Sequence, residues 1–472
     1  MLSFIRAKVI TITLVTSVLF VIAYALAVRS TGLTSSVMAF RPKQSVLTEP
    51  MKEEMLIQKL GHVGKELKTK KKQRTNLVED MMQCSLVMGM SREELRRNKL
   101  NFTTVASKAK IFLTALQSII PAKFLRDIKS PCWYYNLSLS TSLRRVPYAM
   151  AKGLLQMSGG SRDLYCLPYF FIAGFPKSGT TTMHKALQEH PQIIRPQRKE
   201  PHWWTRVSLK DMNIEHLRLT VVKYLLYFNE ASKIISQNLK GGTITYDGSQ
   251  STLWDSNFYL ENEDYCAMPA IVSRILPNAK FIVVMRNPVT REYSDFFNSC
   301  GKDMKTWPKP IVEDPAGQFH KELQTNTAAF TNCLKSTNNS MHECIRQMRS
   351  ITNACGRRQR FPISLYYIHL HKWLQFYPKE NFLFLRTEDM SQQPSTTMNR
   401  ITDFLEIDPV SKDQAQEWLC HKANVQTAFT SDPEKYEMKP ETKKMLKEFY
   451  RPFNEKLVEL IGSERFLWTN KQ

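Results

Sequence analysis

The chain is short of several things, and each shortage excludes something. None of its nine cysteines forms a C-x-x-C pair, which sets aside the common zinc modules. His369 and His371 have no metal-like spacing either, and read as packing or surface residues. No Gly-Lys-Ser or Gly-Lys-Thr occurs, so there is no Walker A phosphate loop. No internal repeat is visible in the 472 residues, which removes solenoids and propellers. Acidic residues are scarce: 43 Asp and Glu face 66 Lys and Arg, for a net charge of +23. A surplus of that size favours polyanionic partners (nucleic acid, anionic lipid or an acidic polysaccharide) without choosing among them. The plain alternative is a solvated basic surface.

Charge is missing altogether from residues 9–28, a stretch long enough to cross the hydrocarbon core as one helix. Arg6 and Lys8 precede it and Arg29 follows. Cleaved signal peptides mostly have a shorter apolar region, so the expectation is a retained signal-anchor, with Ala25-Leu26-Ala27 as the cleavage site of the alternative. The domain reading is therefore a cytoplasmic stub at 1–8, a transmembrane anchor at 9–28, a lumenal stem at 29–150 and a catalytic domain at 151–472. The basic run at 65–74 reads as a solvated linker, and N-x-Ser/Thr sequons at Asn101, Asn136 and Asn338 all fall on the lumenal side. Cys333, Cys344 and Cys355 share one polar segment, which points to disulfides in an oxidising compartment. The odd cysteine count leaves at least one thiol unpaired or bonded to another chain.

What is present is organised around FFIAGFPKSGTTTMH at 170–184. An apolar strand runs into Gly174-Phe175-Pro176-Lys177-Ser178-Gly179, and Thr180, Thr181 and Thr182 open a helix. Strand, tight loop and helix turn several N–H groups and a helix N-terminus on one point, where a phosphate or sulfate fits. An ordinary Gly/Pro turn is the competing reading. Downstream, RKEPHWW at 198–204 places Glu200 beside Lys199 and Arg198, which lowers a carboxylate pKa and keeps it ionised. YDGSQST at 246–252 is a polar strand-end loop, where open α/β sheets hold ligands, or else a plain Asx/Ser turn. KFIVVM at 280–285 is a near-continuous apolar strand that delivers RNPVTREYS, with Arg286 at the strand end and Ser294 two turns into a helix. Guanidinium plus hydroxyl suits a dianionic monoester, although Arg286 in an ordinary ion pair is the simpler use. Residues 298–360 read as a polar, weakly periodic insertion that lines an acceptor groove.

GFPKSGTTT, KEPHWW and RNPVTREYS, in that order and each after a strand, resemble the Golgi carbohydrate sulfotransferases. HLHKWLQFYPKENFLFLRTEDM and ETKKMLKEFYRPFNEKL extend the resemblance over residues 164–468. The chain looks most like the N-acetylgalactosamine 4-sulfate 6-O-sulfotransferases, which act on chondroitin sulfate. The resemblance implies an α/β, P-loop-type sulfotransferase fold around a central, mainly parallel sheet. The donor would be 3′-phosphoadenosine 5′-phosphosulfate (PAPS), with no metal. It assigns Lys177, Ser178, Gly179, Thr180, Thr181 and Thr182 to the 5′-phosphosulfate, and Arg286 and Ser294 to the 3′-phosphate. Glu200 becomes the catalytic base, with His202 its neighbour in the motif and Lys177 the stabiliser of the leaving group. The implied partners are a sulfated glycosaminoglycan and the Golgi membrane, in a single-pass type II topology. Nucleic acid is not among them, and homo-oligomerisation is left open. Two departures stand out: Asp247 lies where the heparan enzymes carry a Lys near this loop, and the Gly-Lys-rich lid near their C-terminus is missing. Rival readings are a different glycan or protein acceptor, a nucleotide kinase with an atypical loop, and a non-catalytic PAPS- and glycan-binding relative.

Overall fold

The structure, a computed structural model, describes residues 77–87, 99–135, 163–207, 214–255, 267–301, 303–336, 341–420 and 434–469. The anchor at 9–28, the basic run at 65–74 and the sequons at Asn136 and Asn338 lie outside the described residues. Among the described residues no helix is long and apolar enough to cross a membrane.

A five-stranded parallel sheet forms the centre. Its strands are β3 (Phe170–Gly174), β4 (Ile193–Ile194), β5 (Ile244–Asp247), β6 (Lys280–Met285) and β7 (Phe382–Arg386), in the order β4-β5-β3-β6-β7. Each adjacent pair is parallel. A small antiparallel pair, β1 (Cys132–Tyr135) with β2 (Asp163–Cys166), stands apart and is closed by the Cys132–Cys166 disulfide. Every residue of β3 is buried, because the strand is flanked on both edges and covered on both faces. The faces alternate with period two. Phe171, Ala173, Phe281 and Val283 join one core, and Phe170, Ile172, Ile282 and Val284 join the other.

Helix α1 (Leu77–Val87), α2 (Lys99–Gln117), α5 (Ile214–Leu226) and α7 (Ala267–Ile275) belong to the first core. Met81, Phe112 and Leu116 are fully buried there, so part of the segment between 29 and 150 is built into the same body as the sheet. The second core is closed by α3 (Thr180–Gln188), α13 (Pro394–Leu405) and α14 (Lys412–Cys420). From β3 the chain moves out to β4, returns through β5, and then crosses to β6 and β7 on the opposite side. The loop after β3 therefore sits where the strand order reverses, the position at which doubly wound sheets leave a crevice.

Several elements differ from the sequence expectation in extent. The apolar spacing of Leu217, Val221, Tyr224, Leu225 and Phe228 reads as one helix over 210–239, but residues 214–237 form two, α5 and α6 (Asn229–Gln237), broken at Tyr227-Phe228. The polar stretch at 298–360, expected as irregular, is largely helical, with α9 (Pro315–Lys335) and α10 (Met341–Ser350). Its periodicity is hidden because many inward positions are Thr, Asn or Cys rather than aliphatic, and Asn326, Thr327 and Cys333 are buried. Two disulfides, Cys300–Cys355 and Cys333–Cys344, staple this region. Cys84 is also disulfide-bonded, while Cys420 carries an exposed free thiol, the odd one out that the count requires.

Candidate active site

The loop after β3 is held open by its backbone. Lys177 has φ +65° and Gly179 has φ +86°. Glycine takes the left-handed region freely, whereas a lysine there carries about 1–2 kcal/mol of strain, a cost typical of ligand-binding loops. Gly179 is the N-cap of α3 and its terminus has no side-chain cap, so the N–H groups of the first turn stay available to an anion. Thr181 and Thr182 are partly exposed at that turn, whereas Ser178 and Thr180 are buried beneath it. The loop is anchored from below. Thr387 Oγ1 donates to the Ser178 carbonyl at 2.6 Å, and Arg291 Nη1 donates to the Pro176 carbonyl at 3.4 Å.

Lys177 and Arg286 meet on this loop. Arg286, at the end of β6, donates from Nη1 to the Lys177 carbonyl at 3.4 Å and from Nε to Thr290 Oγ1 at 3.0 Å. Lys177 Nζ donates to Asn298 Oδ1 at 3.3 Å. Thr290 and Asn298 both lie on α8 (Pro288–Ser299) and are eight residues apart, with Ser294 midway between them. Positions i, i+4 and i+8 share a helix face, so Ser294 stands on the stripe that joins the two cations. Neither Lys177 nor Arg286 has a carboxylate within ion-pair distance among the described residues. The ion pair offered as the simpler use of Arg286 is therefore not made. Burial lowers the pKa of Lys177, Asp295 opposes that, and Arg286, Arg360 and Arg291 lower it further. Burial likewise lowers Arg286, with Glu388 opposing. Two partly desolvated cations, one on the loop and one at the end of β6, thus meet with no carboxylate at ion-pair distance among the described residues.

The carboxylate of the site is Glu200, between β4 and α4 (Trp203–Arg206). Its Oε1 is 2.8 Å from Lys199 Nζ and its Oε2 is 3.3 Å from His202 Nε2. Burial pushes its pKa up, but the hydrogen bonds from His202 and Lys199 and the Lys199 charge outweigh that and hold it at about 2. The local partners are thus Lys199 and His202, while Arg198 points to solvent. Lys199 Nζ also donates to Thr181 Oγ1 at 2.7 Å, which ties the carboxylate directly to the anion loop.

The loop after β5 orients this assembly. Ser251 Oγ lies 2.7 Å from His202 Nδ1 and 2.7 Å from Thr205 Oγ1, and Ser249 Oγ accepts from the His202 N–H at 2.8 Å. Asp247, the departure from the heparan enzymes noted above, is fully buried. It accepts from Tyr224 OH at 2.7 Å and from the Ser249 N–H at 2.8 Å. Burial raises its pKa, opposed by those hydrogen bonds. Its role is to shape the loop. Trp203 stacks on Tyr224 at 4.6 Å, and Trp204 Nε1 donates to Tyr224 OH at 2.8 Å, so the two tryptophans are structural anchors of the Glu200 turn. Sequence reasoning missed Thr290, Asn298, Ser249 and Ser251 as site residues, although Thr290 sits in RNPVTREYS and the two serines in YDGSQST; only Asn298 lies outside the motifs singled out.

A parallel α/β sheet with an uncapped, lysine-bearing anion loop at its switch point, and a carboxylate beside it, defines a group-transfer enzyme acting on anionic donors. The chain belongs to the sulfotransferase family, whose sulfotransferase-domain model matches residues 167–451. It is similar to carbohydrate sulfotransferase 15 of Homo sapiens, 32% identical over 395 residues that cover 74% of this chain and 67% of that protein. It is also similar to heparan sulfate glucosamine 3-O-sulfotransferase 6 of Mus musculus, at 26% over 340 residues, 70% of this chain and 80% of the relative. A sulfotransferase structure from Alicyclobacillus acidocaldarius covers 63% of this chain and 97% of its own, at 18% identity and a TM-score of 0.36, too low to bear on the fold. The comparisons support a carbohydrate sulfotransferase that is similar to carbohydrate sulfotransferase 15.

Proposed function

We propose that the chain moves a sulfuryl group from PAPS to a hydroxyl of a glycosaminoglycan, with the 6-OH of N-acetylgalactosamine 4-sulfate in chondroitin sulfate as the acceptor position. The observation that carries this reading is the meeting of Lys177 and Arg286 on one loop, with Glu200 linked to that loop through Lys199 and Thr181. PAPS supplies the activated sulfuryl group and leaves as a bisphosphate. Ser178, Gly179, Thr180, Thr181 and Thr182 cradle the 5′-phosphosulfate with backbone N–H and hydroxyl donors. Lys177 stabilises the charge that builds on the bridging oxygen. Arg286 and Ser294 take the 3′-phosphate.

Glu200 accepts the acceptor's hydroxyl proton, a role usually worth ~10²–10⁴ in rate. A carboxylate held near 2 is a poor base while Lys199 and His202 both donate to it. Lys199 already bridges to Thr181. An anion in the loop draws the ammonium towards itself, and Glu200 then recovers basicity only when the donor is bound. His202, fixed by Ser251, keeps the carboxylate aimed. The proposed setting is the Golgi lumen, with residues 9–28 as a single-pass type II anchor.

Incubation with labelled PAPS and a panel of glycosaminoglycans, followed by disaccharide analysis, tests the reading. Label in 4,6-disulfated N-acetylgalactosamine is the expected result. Label in a heparan disaccharide would move the enzyme to a different acceptor, and no label in any glycan would remove the reading.

A further inference from the structure

The loop that orients Glu200 continues into Trp254, whose ring is buried and whose Nε1 donates to the Gln250 carbonyl at 2.9 Å. The same loop is fastened to β3, since the Leu253 N–H donates to the Ala173 carbonyl at 3.3 Å. Two guanidinium groups lie over the Trp254 ring: Arg360 at 5.3 Å and Arg349 at 5.6 Å from its centroid. Their commitments differ. Arg349 is occupied by the Trp254 carbonyl at 3.2 Å and by Asp255 Oδ1 at 2.7 Å. Arg360 spends only Nε, on Asp295 Oδ2 at 2.9 Å, and its side chain is 28% exposed. Its two Nη groups have no hydrogen-bond partner among the described residues.

Asp295 cannot neutralise Arg360 alone, because it also pairs with the buried Arg291 at 2.8 Å. In the ion pairs among the described residues, Arg206, Arg291, Arg349 and Arg360 share three carboxylates, Asp255, Glu292 and Asp295. Arg360 is joined to the loop after β3 by contact: Asp295, which it pairs with at 2.9 Å, also pairs with Arg291, whose Nη1 donates to the Pro176 carbonyl at 3.4 Å. A planar fork laid on an aromatic face, with its terminal N–H pair uncommitted, matches the two oxygens of a sulfate ester or carboxylate.

We propose that Arg360, seated on Trp254, binds an anionic substituent already present on the acceptor chain and so sets which residue of the polymer is sulfated. This rests on the acceptor reading above. The donor's charges are matched by Lys177 from the loop after β3 and by Arg286 at the end of β6. Arg360 instead arrives from the segment after α10 and is supported by the loop on the Glu200 side.

The test compares wild type, Arg360→Gln and Arg360→Lys on 4-sulfated chondroitin, desulfated chondroitin, and desulfated chondroitin with its carboxylates reduced, with PAPS affinity measured separately. Both variants should raise the acceptor KM about 10- to 100-fold on the substrate that carries the recognised anion, with PAPS affinity unchanged. Loss confined to the 4-sulfated polymer assigns a sulfate ester. Loss on both carboxylate-bearing polymers, but not on the reduced one, assigns a uronate. Equal loss on all three, or weakened PAPS binding in Arg360→Lys, which keeps the charge facing Asp295, overturns the inference. Wild-type inactivity on every glycan would be a failure of the acceptor reading instead, and is told apart by that control.

Discussion

Glu200 shows how far a single residue can be read and where that reading stops. Its charge neighbours in the motif imply an ionised carboxylate, and the structure holds it at about 2. The tie of Lys199 to Thr181 joins positions 18 residues apart, and the tie of His202 to Ser251 spans 49, so neither pairing shows in a local pattern. Asn298, the partner of Lys177, is 121 residues away and was invisible for the same reason. Lys177 and Arg286 could be singled out because each closely follows an apolar strand, whereas the role of Glu200 came from the resemblance that KEPHWW carries. Glu200→Gln should reduce transfer by ~10²–10⁴ while PAPS still binds, as read by equilibrium binding beside a transfer assay. Near-normal turnover would remove Glu200 as the base. Lys199→Met removes a donor and a positive charge from Glu200, so the carboxylate's pKa must rise. The acid limb of the rate profile should then move to higher pH, and an unmoved limb would mean that Lys199 does not control Glu200.

Elements were legible where one face is uniformly apolar. The two strands read from apolar runs, β3 and β6, lie where they were predicted, and the strand order places the loop after β3 at the switch point. Boundaries were poorer, since the break between α5 and α6 carries Tyr-Phe rather than Gly or Pro. The helices of the 298–360 segment hid behind polar inward positions and disulfides. At this scale the informative residue is Gly248. A Cβ there would come within 2.5 Å of the Lys199 carbonyl, a backbone atom with no room to yield. Gly248→Ala should push the Glu200 turn off the β5 loop and lower kcat by at least about tenfold, because sub-ångström misplacement of a base is costly. PAPS binding should hold, because the loop after β3 is anchored separately by Thr387 and Arg291. If kcat is preserved, the two loops are not packed as tightly as this contact requires.

For the molecule as a whole, two consequences follow from charge. Burial lowers His184 to about 4, with Lys199 adding to the effect, and burial alone lowers His371 to about 4. Each is therefore neutral when folded but protonates near 6.5 when unfolded. The unfolded state binds more protons between pH 6.5 and about 4, so stability falls as pH drops through that window, by about 1–3 kcal/mol per histidine. Thermal melts from pH 7 to 5 should show a declining Tm, with a shallower decline in His184→Gln. The second consequence concerns the +23 net charge. Composition alone could not say what this surplus attracts, but the cations gathered around the anion loop give it a direction. A positive field that converges on the site speeds capture of a polyanion and weakens as the Debye length shrinks from ~10 Å at 0.1 M to ~3 Å at 1 M salt. With a glycosaminoglycan acceptor, kcat/KM should fall steeply over that range, while kcat at saturation changes much less. A short neutral acceptor should show little salt dependence. If the polymer shows none either, the basic surface is only a solvated one, and acceptor choice rests on the contacts around Glu200 and Trp254 alone.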